Sequence, residues 1–152
     1  SHLAVHDDSV ERTGTNFHAI VHAQPPRLTY LSHIPEYADE AYLNQHLLRW
    51  EPETIVNLPA GIGFLPFMLP GSPALMAANV VSLRTHPIVL WEQPGVMARS
   101  SIHVKRAVEI TGLAQRAGGE GRRQADPAAA VSARDLSGSM RSRSAPPWRT
   151  RV

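Results

Sequence analysis

The chain has 152 residues, enough for one domain with a sizeable core, and its 43% hydrophobic and 18% charged content is that of a globular protein. It contains no cysteine, which excludes a disulfide framework and any thiolate metal site, so a bound transition metal must rest on His, Asp or Glu. No apolar run approaches the roughly 18 residues that cross a bilayer, and the opening SHLAVHDDSVER lacks the basic start and apolar core of a secretion signal, so a soluble, cytoplasmic protein is expected.

The net charge of +2 conceals two kinds of sequence. Residues 1–104 carry five Arg against nine acids, whereas 105–152 carry ten Lys and Arg against four acids. In the opening segment His2 and His6 stand four apart, a spacing that puts two imidazoles on one helical face. They are expected to mark an exposed face rather than a strong metal site.

Residues 16–23, NFHAIVHA, have the enrichment of a buried strand, and Pro25-Pro26 stop it because neither can donate to a sheet ladder. Taken alone, His22 is an ordinary half-buried residue at a strand end. His18 shares its face but lies about 13 Å away at ~3.3 Å per residue, too far to join one ion. A short helix is expected over Leu28–His33. A second helix is expected between Asp39 and Trp50, with Tyr42, Leu43, Leu47 and Trp50 at helical spacing.

Thr54–Leu58, TIVNL, reads as a short strand, and the Gly- and Pro-rich segment 59–70 as an ordered loop whose Phe and Met side chains need packing partners. Ser72-Pro73 is a helix start with a mechanism: the hydroxyl caps free N–H groups, and proline sits where its missing donor is harmless. That helix should reach Thr85. Pro87–Trp91, PIVLW, is a fully apolar run and therefore a buried strand, which Gly95–Ala98 is expected to resume. Trp50 and Trp91 are read as core or interface aromatics, and His33, His46, His86 and His103 as surface or helix-end residues. Ser100 or Ser101 then caps a helix to about Ile110.

From Gly112 onward, 29 of the 41 remaining residues are Gly, Ala, Arg, Ser or Pro without a sustained apolar period. Burial there cannot offset the entropy of ordering, so a disordered tail is expected over 112–152 beside a domain over 1–111. An Arg-rich tail suggests an electrostatic arm, but no usual DNA- or RNA-binding motif is present, and a passenger segment is the plainer reading.

Residues 1–110 resemble the class II aldolase/adducin family, closest to its L-rhamnulose-1-phosphate aldolase branch. The resemblance is carried by SHLAVH, by IVHAQPP, and by LRWEPETIVNLPAGIGFLPFMLPGSPALMAANVVSLRTHPIVLWEQPGVMARS. It implies a three-layer α/β/α domain around a mainly antiparallel sheet, truncated at its N-terminus and usually assembled as a homotetramer. It also implies zinc held by three histidines: two at i, i+2 on one strand, which share a face, and a third before a glycine on a later strand. The implied chemistry is cleavage of L-rhamnulose 1-phosphate to dihydroxyacetone phosphate and L-lactaldehyde, with zinc polarising the ketone and stabilising the enediolate.

Carried across, the first ligand falls on His22, the second on Gln24 and the third on Pro94. An amide oxygen is a feeble zinc ligand, and a proline side chain has no donor atom. Glu92 or Gln93 would approach the third position only if the strand slipped by one residue, which would turn PIVLW inside out. The family's catalytic glutamate is expected upstream of Ser1, as are the loops that cradle the phosphate. Weak or no zinc binding and little aldol cleavage are therefore expected. The alternatives are a non-catalytic, adducin-like assembly module and a truncated, frameshifted product; no membrane partner is expected.

Overall fold

The computed structural model describes residues 2–49, 52–93 and 95–125, the last six of these as helix backbone only. The chain divides into two compact units at Arg122, and the architecture below is that of the first. Trp50 and Pro94, and the tail beyond residue 125, lie outside the described residues.

The chain opens with α1 (His2–Thr13), whose buried residues Val5 and Ser9 stand one turn apart. Gly14 ends it in the left-handed region at φ 68°, its N–H returning to the Val10 carbonyl at 2.8 Å. The first strand, β1 (Ala19–Ala23), is shorter than expected because His18 already turns back, its N–H bonding to the Asn16 carbonyl. The prolines that stop β1 begin α2 (Pro26–Leu31), with Pro26 in the first turn. After a 3-10 turn at Pro35–Ala38, Asp39 caps α3 (Glu40–Leu48) by accepting from the Tyr42 N–H at 2.7 Å.

The segment TIVNL is not a strand. It lies in α4 (Pro52–Asn57), where Thr54 is fully buried and the Leu58 N–H bonds to its carbonyl at 2.7 Å. A strand would bury Val56 together with Thr54 and Leu58, yet Val56 is 78% exposed. The one-turn spacing of Thr54 and Leu58 therefore overrides the β-branched propensity of Ile55 and Val56.

The expected loop at 59–70 contains β2 (Gly63–Leu65), held parallel to β3 in the register Gly63↔Val89 to Leu65↔Trp91. Met68 packs on the core, but Phe67 remains exposed, against the expectation that it finds a partner. Ser72 and Pro73 start α5 (Pro73–Thr85) as anticipated, with Ser72 Oγ accepting from the Leu75 N–H. All four residues of β3 (Ile88–Trp91) are buried. The strand β4 (Gly95–Ser100) does not resume β3; it returns antiparallel to it, with Trp91 opposite Gly95.

The last helix, α6 (Val104–Ala125), starts where His103 Nδ1 accepts from the Arg106 N–H, while Ser100 Oγ takes the Ile102 and His103 N–H groups. The structure does not break at Gly112: Leu113, Ala114 and Ala117 are buried in line with Ala107 and Ile110. Helical spacing of small apolar residues persists there beneath the Gly- and Arg-rich composition.

The sheet has the order β1-β4-β3-β2, antiparallel except for β2 against β3. On one face Val89, Trp91 and Met97 pack with Val5 of α1 and Leu75 and Leu83 of α5. The two-residue alternation turns Ile88, Leu90, Val96 and Ala98 to the other face. There α2 lies against β4, and α6 comes close enough that a Cβ on Gly118 would sit 3.1 Å from Leu28 Cδ2. The result is a three-layer α/β/α fold. No helix among the described residues is long and apolar enough to cross a membrane.

Candidate functional site

The end of β1 carries the site that the sequence singled out. Ile20 packs against the α1/α5 core, and His22, two residues on, faces the same side. The His22 ring lies against the indole of Trp91, with centroids 4.7 Å apart and planes tilted by 42°. Trp91 is fixed in turn: its Nε1–H donates to Asn79 Oδ1 at 2.7 Å, and Asn79 Nδ2 donates to the Leu75 carbonyl. His22 nevertheless remains exposed.

Gln24 lies where β1 meets the start of β4. Gly95 has φ 120°, and a Cβ there would come within 2.5 Å of the Ala23 carbonyl oxygen and 3.0 Å of Gln24 Cγ. Only glycine fits that approach. The start of β4 is therefore pressed against Ala23 and Gln24 at the end of β1. Position 94 precedes Gly95 but lies outside the described residues.

No slip of β3 brings a substitute ligand. Glu92 is occupied, its Oε2 accepting from the Phe67 N–H at 2.7 Å and its own N–H donating to the Leu65 carbonyl. Gln93 turns away with φ 76°, its N–H donating to Ser32 Oγ.

The structure pairs the N-terminal histidines differently from their sequence spacing. His2 approaches His22, with ring centroids 6.0 Å apart, and His6 Nδ1 meets His18 Nε2 at 2.5 Å. Burial holds both His2 and His6 below the ordinary imidazole pKa; the facing charge of His22 adds to this at His2, and that of His18 at His6. No sequence spacing signalled these pairs, because they depend on how α1 crosses β1. His46 and His86 sit at helix ends, as expected, the first bonded to the Tyr42 carbonyl and the second to that of Ser82.

No family model matches the chain. A rhamnulose-1-phosphate aldolase of Bacteroides thetaiotaomicron is 33% identical over 98 residues, which cover 64% of this chain and 36% of that protein. A crystal structure of a sugar-phosphate aldolase from Thermotoga maritima superposes with a TM-score of 0.69 at 27% identity, over 80% of this chain and 50% of that one. The fold is that of the class II aldolases. An L-fuculose-1-phosphate aldolase from Thermus thermophilus shares it, with a TM-score of 0.53 at 22% identity over 80% of this chain and 58% of that one. The class II aldolase-like chain is related to these sugar-phosphate aldolases and spans about a third of the length of the curated relatives it matches.

The residues at the inherited positions do not fit the zinc that this fold implies. A catalytic zinc site takes three strong protein ligands and keeps one open position. Here His22 offers one imidazole against an indole, and Gln24 offers an amide. Among the described residues no group of three His, Cys, Asp or Glu side chains is placed to hold a metal ion.

Proposed function

We propose that this chain is a class II aldolase-like domain of sugar-phosphate aldolase descent whose His22-centred site does not carry out zinc-dependent aldol cleavage. The ancestral reaction in this reading is cleavage of L-rhamnulose 1-phosphate, and the ancestral assembly is a cytoplasmic homotetramer. The observation that carries it is the pair His22 and Gln24: an imidazole and an amide stand two residues apart at the end of β1, where this reading needs two imidazoles to grip one ion. Without an electrophile on the ketone oxygen, an enediolate lacks the charge stabilisation that it needs at neutral pH.

The test is restoration. Gln24→His combined with Pro94→His should produce 1:1 zinc binding that the parent chain lacks, and His22→Ala in that background should abolish it. Failure of the restored chain to bind zinc would remove the lineage reading of these positions.

A second reading, a non-catalytic assembly module of the adducin kind, is favoured by one feature of β1. Among the described residues its outer edge has no strand partner, and Val21, Ala23, Pro25, Pro26 and Val108 line an apolar groove of about 380 Å³ beside it. An unpaired edge flanked by apolar surface invites pairing. Sedimentation of the full chain as a discrete oligomer, dissociated by Val21→Lys, supports this reading; a monomer at all concentrations removes it.

A further inference from the structure

At the opposite end of β1 from His22, the chain forms a second cavity, of about 230 Å³, between the C-terminal half of α1, the entry to β1 and the exit of β4. Its lining includes Arg12, His18 and Arg99, with Phe17, Ala19 and Ser101 among the remaining residues. Nothing in the aldolase reading uses this place.

Two guanidiniums here are short of acceptors. Arg99 Nη2 reaches the Arg84 carbonyl at 3.3 Å, but its Nε is buried with no partner among the described residues. Among the described residues Arg12 pairs with Asp8 Oδ2 at 3.6 Å. The other oxygen of Asp8 is taken by Arg84, whose Nε and Nη2 approach it at 2.9 and 2.6 Å. Burial holds the Arg99 pKa below its ordinary value, and the Arg12 charge adds to that, with Asp8 opposing. Arg12 and Arg84 thus share Asp8, whose charge also acts on Arg99, while Glu11 acts on Arg84.

A third donor stands unused. His18 Nδ1 is buried without a partner, while its Nε2 faces His6 Nδ1. In the tautomer where His6 Nδ1–H donates to His18 Nε2, His18 Nδ1 carries a proton with nowhere to place it. Buried donors left unmade are costly, so an acceptor from outside the chain would stabilise this arrangement.

We propose that this cavity binds a phosphoryl group, free or as a small monoester, between the Arg12 and Arg99 guanidiniums with His18 Nδ1–H as a further donor. A dianion balances the two under-compensated cations, and three terminal oxygens suit forked guanidinium donors better than one carboxylate does. The volume exceeds what one phosphoryl group fills, at ~30 Å³ for each water displaced. Phe17, 77% exposed, and Ala19 offer apolar surface to an ester substituent. The proposal is independent of the aldolase lineage and stands if zinc restoration at positions 22, 24 and 94 fails.

The experiment is an amide NMR titration of the full chain at low salt with inorganic phosphate and, separately, phenyl phosphate. Saturable shifts at Thr15, Arg99 and Ser101 are expected. Arg99→Gln and Arg12→Gln should each weaken binding by about tenfold or more, while Lys105→Gln, which removes the same charge from exposed helix surface, should leave it unchanged. Arg12 is exposed at the C-terminal end of α1, so its variant separates binding from folding if Arg99→Gln is poorly folded. Tighter binding of phenyl phosphate identifies a monoester, and equal binding identifies phosphate itself. Absence of saturable shifts with both probes, or equal weakening by Lys105→Gln, would overturn the proposal.

Discussion

His6 on α1 and His18 at the entry to β1 share one short nitrogen-to-nitrogen contact, 2.5 Å between Nδ1 and Nε2. A bond between two imidazoles needs one of them to be an acceptor, so it persists only while at least one ring is neutral. The contact therefore joins helix to sheet through a pair of rings that protonation of both would separate.

Stability should depend on pH accordingly. His2 and His6 have folded-state pKa values below the ordinary imidazole value of 6.5, chiefly through burial. A depressed imidazole pKa means that the unfolded chain binds protons more readily, so the stability contribution is present above 6.5 and is lost as pH falls through the lower folded values. The facing groups are His22 and the N-terminus for His2, and His18 and Asp7 for His6, with Asp7 opposing the shift. Asp8, depressed by its bond to Arg84, acts in the same direction only below its ordinary value of 3.8. Melting temperature should therefore fall as pH drops below 6.5, well before the carboxylate range. His6→Phe should flatten that fall, and an unchanged pH profile in His6→Phe would count against the account.

Asn79 is the support beneath the His22 site. It is fully buried and holds the Trp91 indole N–H at 2.7 Å. Asn79→Ala leaves that donor unsatisfied and should cost about 1–3 kcal/mol in urea unfolding. The tilted His22–Trp91 ring contact should loosen with it, read as a smaller change in tryptophan fluorescence on His22→Ala than in the parent chain. A neutral Asn79→Ala would show that the bond is dispensable.

The class II aldolase-like fold was legible in SHLAVH, IVHAQPP and the long segment through PIVLW, and so were the elements with a local chemical cause. Ser72-Pro73 announced α5, the helical spacing of Tyr42, Leu43 and Leu47 announced α3, and four consecutive apolar residues announced β3. The losses share a cause: the deciding partner is distant in sequence. TIVNL becomes helical because Thr54 and Leu58 face the core together, and β2 exists because β3 accepts it in parallel register. At the site, His22 and Gln24 were named by the resemblance, with His22 alone reading as an ordinary strand-end histidine, whereas the His2–His22 and His6–His18 pairs needed the placement of α1 beside β1. Arg12 and Arg99 carry no motif at all; they meet only because α1 ends beside β4.

The extent of α6 separates composition from packing. Gly112–Gly119 looks like the start of an unfolded tail, yet Leu113 is 5% exposed and Ala114 and Ala117 are fully buried. Leu113→Ala should destabilise by about 2–5 kcal/mol, as for other buried leucines. A tail without structure from residue 112 would make the same substitution silent, so equilibrium unfolding of this variant decides between them.

Gly95 lets the start of β4 press against the end of β1. At φ 120° with the Ala23 carbonyl oxygen 2.5 Å from any added Cβ, Gly95→Ala should cost roughly 1–3 kcal/mol from backbone strain alone, and more from the clash. Gly71, at φ 80° with nothing within 4 Å, is the control and should lose roughly 1 kcal/mol on the same substitution. Equal losses in thermal melts of the two variants would mean that β1 and β4 are not pressed together as described.

The most direct measurement of the central claim is calorimetric titration of zinc into the full chain, beside His22→Ala and beside Gln24→His with Pro94→His. The parent chain is expected to show no submicromolar site that depends on His22, and the doubly restored chain to gain one. Submicromolar zinc binding by the parent chain that disappears in His22→Ala would contradict the account.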